Sequence, residues 1–379
     1  MGRLLRWGGA VIGLVLVSAL LAYGFLRGGA PRLDGEVALP GLSAPVQVAR
    51  DALGVPSIGA ANRMDAMRTL GFLHAQDRFF QMDVLRRVSA GELAALLGPS
   101  VLDIDAHTRL FRLRAVAKQV LEQATPAQRA AVQAYTDGVN AGLKALGTWP
   151  FEYGVLMRRP QRWVPEDSIL VIDAMYLDLQ RGGLDHNESD LALMRDVLPP
   201  ALFRFLAAPG TQWDAPIVGK PVETPPFPGA DVIDLRKQPS TLGDTVADAG
   251  IFDRHAAGMG QDYDLGSADI GSNNWAVSKE HGAGGRALVA NDMHLGLRVP
   301  NTWYRAQWTY PDAALPGGRV TVTGITLPGV PAMVVGSNGH VAWGFTNSYG
   351  DWSDLVLLHI DPSDPDLYQT AEGWKRFVH

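Results

Sequence analysis

Apolar residues recur at helical spacing through most of the first half of the chain. Between Asp65 and Leu97 they gather on one side of a helix, at Met67, Leu70, Leu73, Phe80, Val84 and Leu85. A second helix is predicted to begin at Thr125-Pro126-Ala127-Gln128, where N-cap threonine, proline at the first helical position and glutamine at the third form a capping box. Further helices are predicted over 167–179 and 191–197. The first half is therefore predicted to be mainly α-helical.

Short apolar runs typical of strands flank and follow this helical part. Before it, residues 46–58 read as two short strands with a turn around Gly54. After Gly271, the runs 274–277 and 287–290 are separated by a glycine-containing loop, as in a hairpin. Val320 and Val322 alternate with polar residues, and 333–335 is another apolar run. An α-rich part is thus expected to precede a β-rich part.

The two parts are joined by a segment without clear periodicity. Residues 220–271 are rich in Pro, Gly and Asp, and such a stretch inside a globular chain is either disordered or functional. No closing signal precedes His379, so we expect the sequence to be a fragment of a longer protein. The predicted organisation is a leader over 1–30, a helical region over 31–219, a spacer over 220–271 and a β-rich region over 272–379.

The N-terminus predicts export. Arg3 and Arg6 precede an uncharged apolar run from Trp7 to Leu26, the arrangement of a signal peptide. The run is also long enough to span a bilayer as an uncleaved anchor, and Ala22-Tyr23-Gly24 is only a weak cleavage signal. The alternative is a buried core helix. We expect a periplasmic or other extracytoplasmic protein, anchored or released.

Composition narrows the class of function. The formal net charge is −6, which argues against a nucleic-acid partner, and 47% hydrophobic with 19% charged residues is the balance of a folded protein. The absence of cysteine excludes disulfides, cysteine nucleophiles and thiolate-bound zinc.

Ser272 is the candidate nucleophile, because a spacer precedes it and a strand follows it. Cleavage of the Gly271–Ser272 bond would give Ser272 a free α-amine beside its own hydroxyl. An α-amine has a pKa of about 7.7–8 and can take the hydroxyl proton directly or through one water, so no Ser-His-Asp triad is needed. The same hydroxyl could attack the Gly271 carbonyl, which would make the cut autocatalytic.

Four segments together resemble the penicillin acylase family of N-terminal-nucleophile hydrolases. They are RDALGVPSIGA with GFLHAQDRFFQMDVLRRVSAGELA, then SNNWAVS after the spacer, then ANDMHLGLRVPNTWY, and finally LPGVPAMVVGSNGHVAWGFTNSYGDWSDL. Met293 stands where proline is common in the family. The resemblance spans about 46–355 and implies an α+β fold, the four-layer αββα N-terminal-nucleophile hydrolase sandwich, built from two processed chains.

The resemblance also implies roles for individual residues. Ser272 corresponds to the nucleophile and Gly271–Ser272 to the cleavage site. His294 lies where acylases acting on cephalosporin side chains and acyl-homoserine lactones have a histidine near the nucleophile, although a structural histidine at a strand end is the alternative. Asn347 corresponds to a backbone N–H donor of the oxyanion hole. Asn273 is expected to position the cut and the substrate amide.

A structural calcium ion is a further implication of the family. Asp351 and Asp354 match its carboxylate ligands, with the carbonyl of Ser353 between them and Glu188 as a candidate from the α-part. The alternative is a solvated acidic turn. No cofactor is expected for catalysis itself.

The function implied is hydrolysis of a linear N-acyl amide, such as a β-lactam side chain or an acyl-homoserine lactone, by a heterodimer of the processed α and β chains. Candidates for an apolar acyl pocket, which could equally be core residues, are Phe79, Phe80, Met82, Tyr153 and Met157. An asparagine and an arginine of the family's later β-chain have no counterpart here. The rival hypothesis is therefore an inactive, membrane-tethered binding protein; an ordinary serine hydrolase is disfavoured because no Gly-x-Ser-x-Gly motif occurs.

Overall fold

A computed structural model describes residues 2–180, 186–216, 218–234, 271–315, 317–347 and 354–378. The chain divides into two compact units, Met1–Leu179 with Leu265–Asn347 and Gln180–Asp264 with Ser348–His379. Most of the predicted spacer, 235–270, lies outside the described residues.

The helices of the first unit lie before the spacer. They are α1 (Gly2–Gly28), α2 (Arg63–Ala90), α3 (Ala94–Leu97), α4 (Leu102–Arg109), α5 (Leu113–Gln123), α6 (Pro126–Ala145), α7 (Phe151–Val155) and α8 (Pro165–Leu179), with a 3₁₀ turn at Pro99–Val101. The second unit contains α9 (His186–Val197) and α10 (Pro200–Leu206).

Strands from both sides of the spacer form one sheet in the first unit. The strands of this unit are β1 (Gln47–Arg50), β2 (Pro56–Gly59), β3 (Gly271–Val277), β4 (Leu288–His294), β5 (Tyr304–Pro311), β6 (Arg319–Thr326), β7 (Met333–Ser337) and β8 (Ala342–Trp343). The six-stranded sheet has the order β1-β2-β5-β6-β7-β8, and β2 runs parallel to β5. Strands β3 and β4 form a separate two-stranded sheet. The second unit has a three-stranded antiparallel sheet of β9 (Ile360–Asp361), β10 (Asp364–Thr370) and β11 (Gly373–Arg376).

Several sequence predictions are confirmed. Helix α6 begins with the predicted capping box, since the Thr125 side chain accepts from the Gln128 amide and the Gln128 side chain accepts from the Thr125 amide. Strands β1 and β2 flank the turn at Gly54, which has a φ of 77°. The hairpin predicted after Gly271 is the β3–β4 pair.

The long predicted helix over 65–97 is interrupted. It ends at Gly91, whose φ of 64° places it in the left-handed region that glycine adopts freely, and only the short α3 follows. Within α2 the backbone leaves helical geometry at Arg78, with φ −145° and ψ 16°. There the Arg78 guanidinium donates to the carbonyl of Asn301 at 2.9 Å and lies over the Tyr304 ring. Apolar periodicity does not detect this break, because both halves of the helix keep the same buried side.

Helices α2 and α6 pack at a distance that only glycine allows. A Cβ atom at Gly138 would lie 1.9 Å from the Arg68 carbonyl oxygen, and one at Gly71 would lie 2.2 Å from the Tyr135 carbonyl oxygen. The two backbones therefore touch directly, which brings the buried faces of both helices into one core with β5 and β6.

We expect Gly138→Ala to lower the free energy of unfolding by about 3 kcal/mol, because the added methyl group forces the two helices apart. Chemical denaturation measures the effect. Gly59→Ala is the matched control, since its methyl group would come no closer than 3.8 Å to its nearest neighbour, the carbonyl oxygen of Gln47. Equal stability of the two variants would contradict the tight packing of α2 on α6.

A buried histidine joins the helices to the strands that follow the spacer. His74 Nδ1 lies 2.6 Å from the Tyr135 hydroxyl, and its Nε2 lies 2.9 Å from Thr326 Oγ1. Burial, with a smaller contribution from the charge of Arg78, lowers the pKa of His74 to about 3, so the ring is neutral. Thr326 Oγ1 donates to the Tyr304 carbonyl, so it accepts from Nε2–H, and Nδ1 accepts from the Tyr135 hydroxyl.

A buried carboxylate, Asp83, organises a second polar cluster. Its Oδ1 accepts from Arg86 Nε at 2.7 Å and Arg87 Nε at 2.9 Å, and its Oδ2 accepts from the Tyr153 hydroxyl at 2.6 Å. Arg86 also pairs with Asp167 at the start of α8. Each of these polar groups therefore has a partner inside the core, which is the condition for burying charge.

Candidate active site

The β3–β4 hairpin aligns the predicted cleavage site with the predicted histidine. The register pairs Gly271 with His294, Ser272 with Met293 and Asn273 with Asp292. Because neighbouring strands lie about 4.8 Å apart, the end of β4 is fixed beside the Gly271–Ser272 peptide bond. A short loop that contains two glycines with positive φ joins the strands as this antiparallel hairpin.

The Ser272 side chain turns back toward the bond that precedes it. Its hydroxyl donates to the Gly271 carbonyl oxygen at 2.6 Å. The hydroxyl oxygen and the Gly271 carbonyl carbon are the two atoms that would join in a five-membered ring if serine attacked its own preceding peptide bond. The half-buried Ser272 hydroxyl is therefore close to the carbonyl that an autocatalytic cut requires it to attack.

His294 stands next to Gly271. A Cβ atom at Gly271 would lie 3.5 Å from His294 Nδ1, so the imidazole faces the residue on the acyl side of the bond. Its Nε2 lies 3.1 Å from Asp292 Oδ2 and 3.2 Å from Asn273 Nδ2. The two contacts require different tautomers: Nε2 accepts from the Asn273 amide group when it is unprotonated, and it donates to Asp292 when it carries the proton. In the second tautomer Nδ1 keeps a lone pair on the side of Gly271. The His294 imidazole, placed between the Asp292 carboxylate and Gly271, can therefore take up a proton released at the Gly271–Ser272 bond.

Asn291 links strand β3 to the segment that contains Asn347. Its amide nitrogen donates to the Asn273 carbonyl at 2.8 Å and to the Phe345 carbonyl at 2.9 Å, and its amide oxygen accepts from the Phe345 amide at 3.2 Å. Gly344 allows this approach, because a Cβ there would lie 2.9 Å from the Asn291 side chain. Sequence reasoning missed Asn291; a polar residue at mid-strand, inside the segment already singled out, was the available signal.

Asn347 lies two residues beyond this link. Its side-chain amide donates to the Leu179 carbonyl at 3.4 Å. Asn291 therefore connects strand β3 to Phe345, two residues before Asn347. Asn347 itself is bonded to the end of α8. Its predicted role, a backbone donor to an oxyanion, stays a prediction.

The predicted calcium ligands are only partly described. Asp351 and Ser353 lie outside the described residues. Asp354 is exposed and Glu188 lies in the first turn of α9. Across the part of the chain that the structure describes, no group of three or more His, Asp or Glu side chains could hold a metal ion. A calcium site therefore stays a prediction that depends on Asp351 and Ser353.

The candidates for an apolar pocket separate into two groups. Phe79, Met82 and Tyr153 are fully buried in the core, and Phe80 packs against it. Met157, by contrast, projects into solvent and is 88% exposed. Burial thus favours the core role for the first three, the commoner fate of large apolar side chains.

Comparison with known proteins agrees with these motifs. The Penicillin amidase family model matches residues 45–379. Acyl-homoserine lactone acylase QuiP of Pseudomonas aeruginosa is 32% identical over 345 residues, 90% of this chain and 38% of that protein. Penicillin acylase 2 proenzyme of a Pseudomonas species is 34% identical over 333 residues, 88% of this chain and 40% of that protein.

The chain thus spans about two fifths of the length of these relatives. A solved thermostable penicillin G acylase from Alcaligenes faecalis is 26% identical and aligns over 47% of this chain and 98% of that chain, with a TM-score of 0.40. The helices and mixed sheets agree with the α+β, N-terminal-nucleophile hydrolase fold that the motifs implied. The family model matches residues 45–379, nearly the whole chain, which shows that the protein belongs to the penicillin amidase family.

Proposed function

We propose that this chain is the nucleophile-bearing part of an amide hydrolase precursor that cleaves itself between Gly271 and Ser272. The observation that supports the proposal most directly is the 2.6 Å hydrogen bond from the Ser272 hydroxyl to the Gly271 carbonyl, beside the His294 imidazole. The relatives named penicillin acylase and acyl-homoserine lactone acylase support the class of reaction.

The cut exchanges an amide for an ester and then hydrolyses it. Ser272 Oγ bonds to the Gly271 carbonyl carbon while its proton passes to a base, for which His294 Nδ1 is the candidate. The C–N bond then breaks, and the Ser272 nitrogen takes up a proton to become the free α-amine. Water hydrolyses the ester, which leaves a Gly271 carboxylate and restores the Ser272 hydroxyl.

The freed Ser272 then acts on an external N-acyl amide. Its hydroxyl attacks the acyl carbonyl, and the α-amine takes the proton and passes it to the departing amine. Backbone donors near Asn347 are proposed to stabilise the oxyanion, and Asn273 to orient the substrate amide. Water then releases the acid from acyl-Ser272. Acyl-homoserine lactones and β-lactam side chains are the candidate substrates, by analogy with the relatives.

The two products are proposed to remain together as a heterodimer. Strands on opposite sides of the cut share the six-stranded sheet, because β2 pairs with β5 from Ser57–Gln307 to Gly59–Thr309. His74 contacts Thr326, and the Tyr304 hydroxyl donates to Asp77 Oδ2 at 2.6 Å. Since these contacts do not depend on the Gly271–Ser272 bond, its cleavage would leave the shared core intact.

We expect His294→Ala to slow cleavage of the Gly271–Ser272 bond about 10²-fold, because proton transfer at that bond loses its nearest imidazole. The measurement is the fraction of cut chain against time, by mass spectrometry, at several pH values. A role in proton transfer predicts that the pH dependence of the wild-type rate is lost in the variant. His340→Ala, which changes an exposed histidine in the β7–β8 turn, is the control. An unchanged rate and pH profile in His294→Ala would assign His294 a structural role.

Intact mass and N-terminal sequencing of the full-length protein test the proposal as a whole. Two pieces that copurify, the second beginning Ser-Asn-Asn-Trp, would support self-processing, and release of acid from a panel of N-acyl amides would support the reaction. A single uncut chain that hydrolyses none of the panel would overturn the proposal and favour a binding protein of the same fold.

A further inference from the structure

The N-terminal helix is long and apolar enough to cross a membrane, by length and composition. Its window Val11–Gly28 has a mean hydropathy of 1.9, and none of it is buried within the protein. At 1.5 Å per residue, 18 residues extend about 27 Å, close to the thickness of a bilayer's hydrocarbon core. The large apolar side chains of α1 that the structure describes are therefore not covered by the described part of the protein.

The last turn of α1 is fixed to the folded unit at one place. The Thr148 hydroxyl donates to the Phe25 carbonyl at 2.7 Å, and the Thr148 amide donates to the Gly28 carbonyl at 3.1 Å. The Phe25 ring lies against Gly154, where a Cβ would come within 2.7 Å of it. If α1 crosses a bilayer, the membrane surface must therefore lie at the level of the segment Thr148–Arg159.

This segment, which we call the α7 patch, exposes apolar side chains next to positive charge. Phe151 is 50%, Val155 74% and Met157 88% exposed, while Tyr153 in the same segment points into the core. Two exposed arginines, Arg158 and Arg159, follow directly. Apolar side chains flanked by arginine are typical of surfaces that enter the headgroup region of anionic lipids.

Two details of the α7 patch fit an interfacial role. The Arg159 guanidinium lies 5.4 Å above the ring of Trp149, and tryptophan is enriched at membrane–water interfaces. Met157 has a φ of 52° at the end of α7, where the Arg158 amide donates to the Tyr153 carbonyl at 2.9 Å. Glycine is the usual residue at such a left-handed helix end, so the backbone disfavours a methionine there, and its side chain is 88% exposed.

We propose that α1 is retained as a membrane anchor and that the α7 patch, Thr148–Arg159, binds the phospholipid interface where α1 leaves the bilayer. The candidate cleavage signal Ala22-Tyr23-Gly24 lies inside α1, one residue before the Phe25 carbonyl that Thr148 binds. The anchor and the patch together hold the folded unit against the membrane, with the apolar side chains of α7 inserted and the two arginines at the lipid phosphates.

The absence of cysteine makes a direct test possible. Val155→Cys and Met157→Cys, each labelled with an environment-sensitive fluorophore, are placed in the full chain and reconstituted in vesicles of phosphatidylethanolamine and phosphatidylglycerol. Leu110→Cys is the matched control, because Leu110 is also 74% exposed but follows α4. We expect quenching by aqueous iodide to be at least about threefold weaker at positions 155 and 157 than at 110, and quenching by nitroxide-labelled lipid to be correspondingly stronger.

Each part of the proposal has its own contrary result. Equal iodide quenching at all three positions would overturn the lipid contact of the α7 patch. An N-terminal piece whose mass lacks the residues before Phe25, isolated from membranes of the producing cells, would overturn the retained anchor. Loss of protection at positions 155 and 157 when Arg158→Glu and Arg159→Glu are added would support the role of the arginines, and protection that persists would contradict it.

Discussion

Replacement of Ser272 by alanine is expected to leave the chain uncut and to reduce amide hydrolysis by at least about 10³-fold, to background. The reason is that, in the proposed mechanism, one hydroxyl supplies the nucleophile for both reactions, first on the Gly271 carbonyl and then on the substrate. Mass spectrometry of the purified chain checks the first effect, and acid release from N-acyl amides checks the second. The Ser272 hydroxyl bonds to the Gly271 carbonyl of its own strand, so we expect the variant to unfold at the same temperature as the uncut wild-type precursor.

Ser272→Cys is the matched variant for this prediction. A thiol keeps a nucleophile at the same position, so cleavage is expected to continue, at a reduced rate, and to leave a cysteine with a free α-amine. Cleavage of Ser272→Ala at the wild-type rate would show that another protease makes the cut. Retention of full hydrolytic activity by an uncut Ser272→Ala chain would place the nucleophile elsewhere.

Asp83→Asn is expected to lower the free energy of unfolding by about 3–5 kcal/mol, the range for a buried charge that loses its partner. The asparagine side chain has the shape of aspartate but is neutral, so it no longer balances the charges of Arg86 and Arg87. Its amide nitrogen is a donor, so only one of its two polar atoms can still accept from Arg86, Arg87 and Tyr153. Burial and the neighbouring carboxylate raise the pKa of Tyr153, so its hydroxyl remains a donor that must find an acceptor. Equilibrium unfolding in urea measures the loss.

The control for Asp83→Asn is Asp137→Asn on α6. Asp137 pairs with Arg68 at 2.9 Å across the same two helices, but its side chain is 42% exposed. Because water screens this pair at the exposed Asp137 carboxylate, we expect a loss of no more than about 1 kcal/mol. Losses of similar size for both variants would mean that burial of the Asp83 cluster contributes nothing specific to stability.

Local rules determined the elements whose signals lie within a few residues. The capping box at Thr125 and Gln128 needs only the helix's own first turn, and the β3–β4 hairpin was predicted from two short apolar runs and the glycine-containing loop between them. Short helices such as α4 and α5 were not predicted, because their apolar stripes are brief and their stability depends on packing against α2 and α8. The break at Arg78 also escaped prediction, since its cause is the carbonyl of Asn301, more than two hundred residues away.

The candidate site divides in the same way. Ser272 was predicted from the spacer before it and the strand after it, and His294 from the family resemblance; the hairpin register then places His294 opposite Gly271. Asn291 could not be predicted, because its importance lies in bonds to Phe345 in a distant loop. The sequence places His74 in a segment that resembles the family. Its neighbouring residues do not indicate that it forms a hydrogen bond with Thr326 across the core.

The sequence by itself determined the family, the order of helical and strand-rich parts, and the serine whose hydroxyl and latent amine can act together, because each rests on neighbouring residues or on a motif. Only the tertiary structure decided that the Ser272 hydroxyl faces the Gly271 carbonyl and that His294 stands beside that bond. It alone also decided that strands from both sides of the cut share one sheet, and that Phe25 is fixed beside the exposed side of α7. The physical reason is that these contacts join residues far apart in the chain, and their geometry is set by packing of the whole core rather than by any local preference.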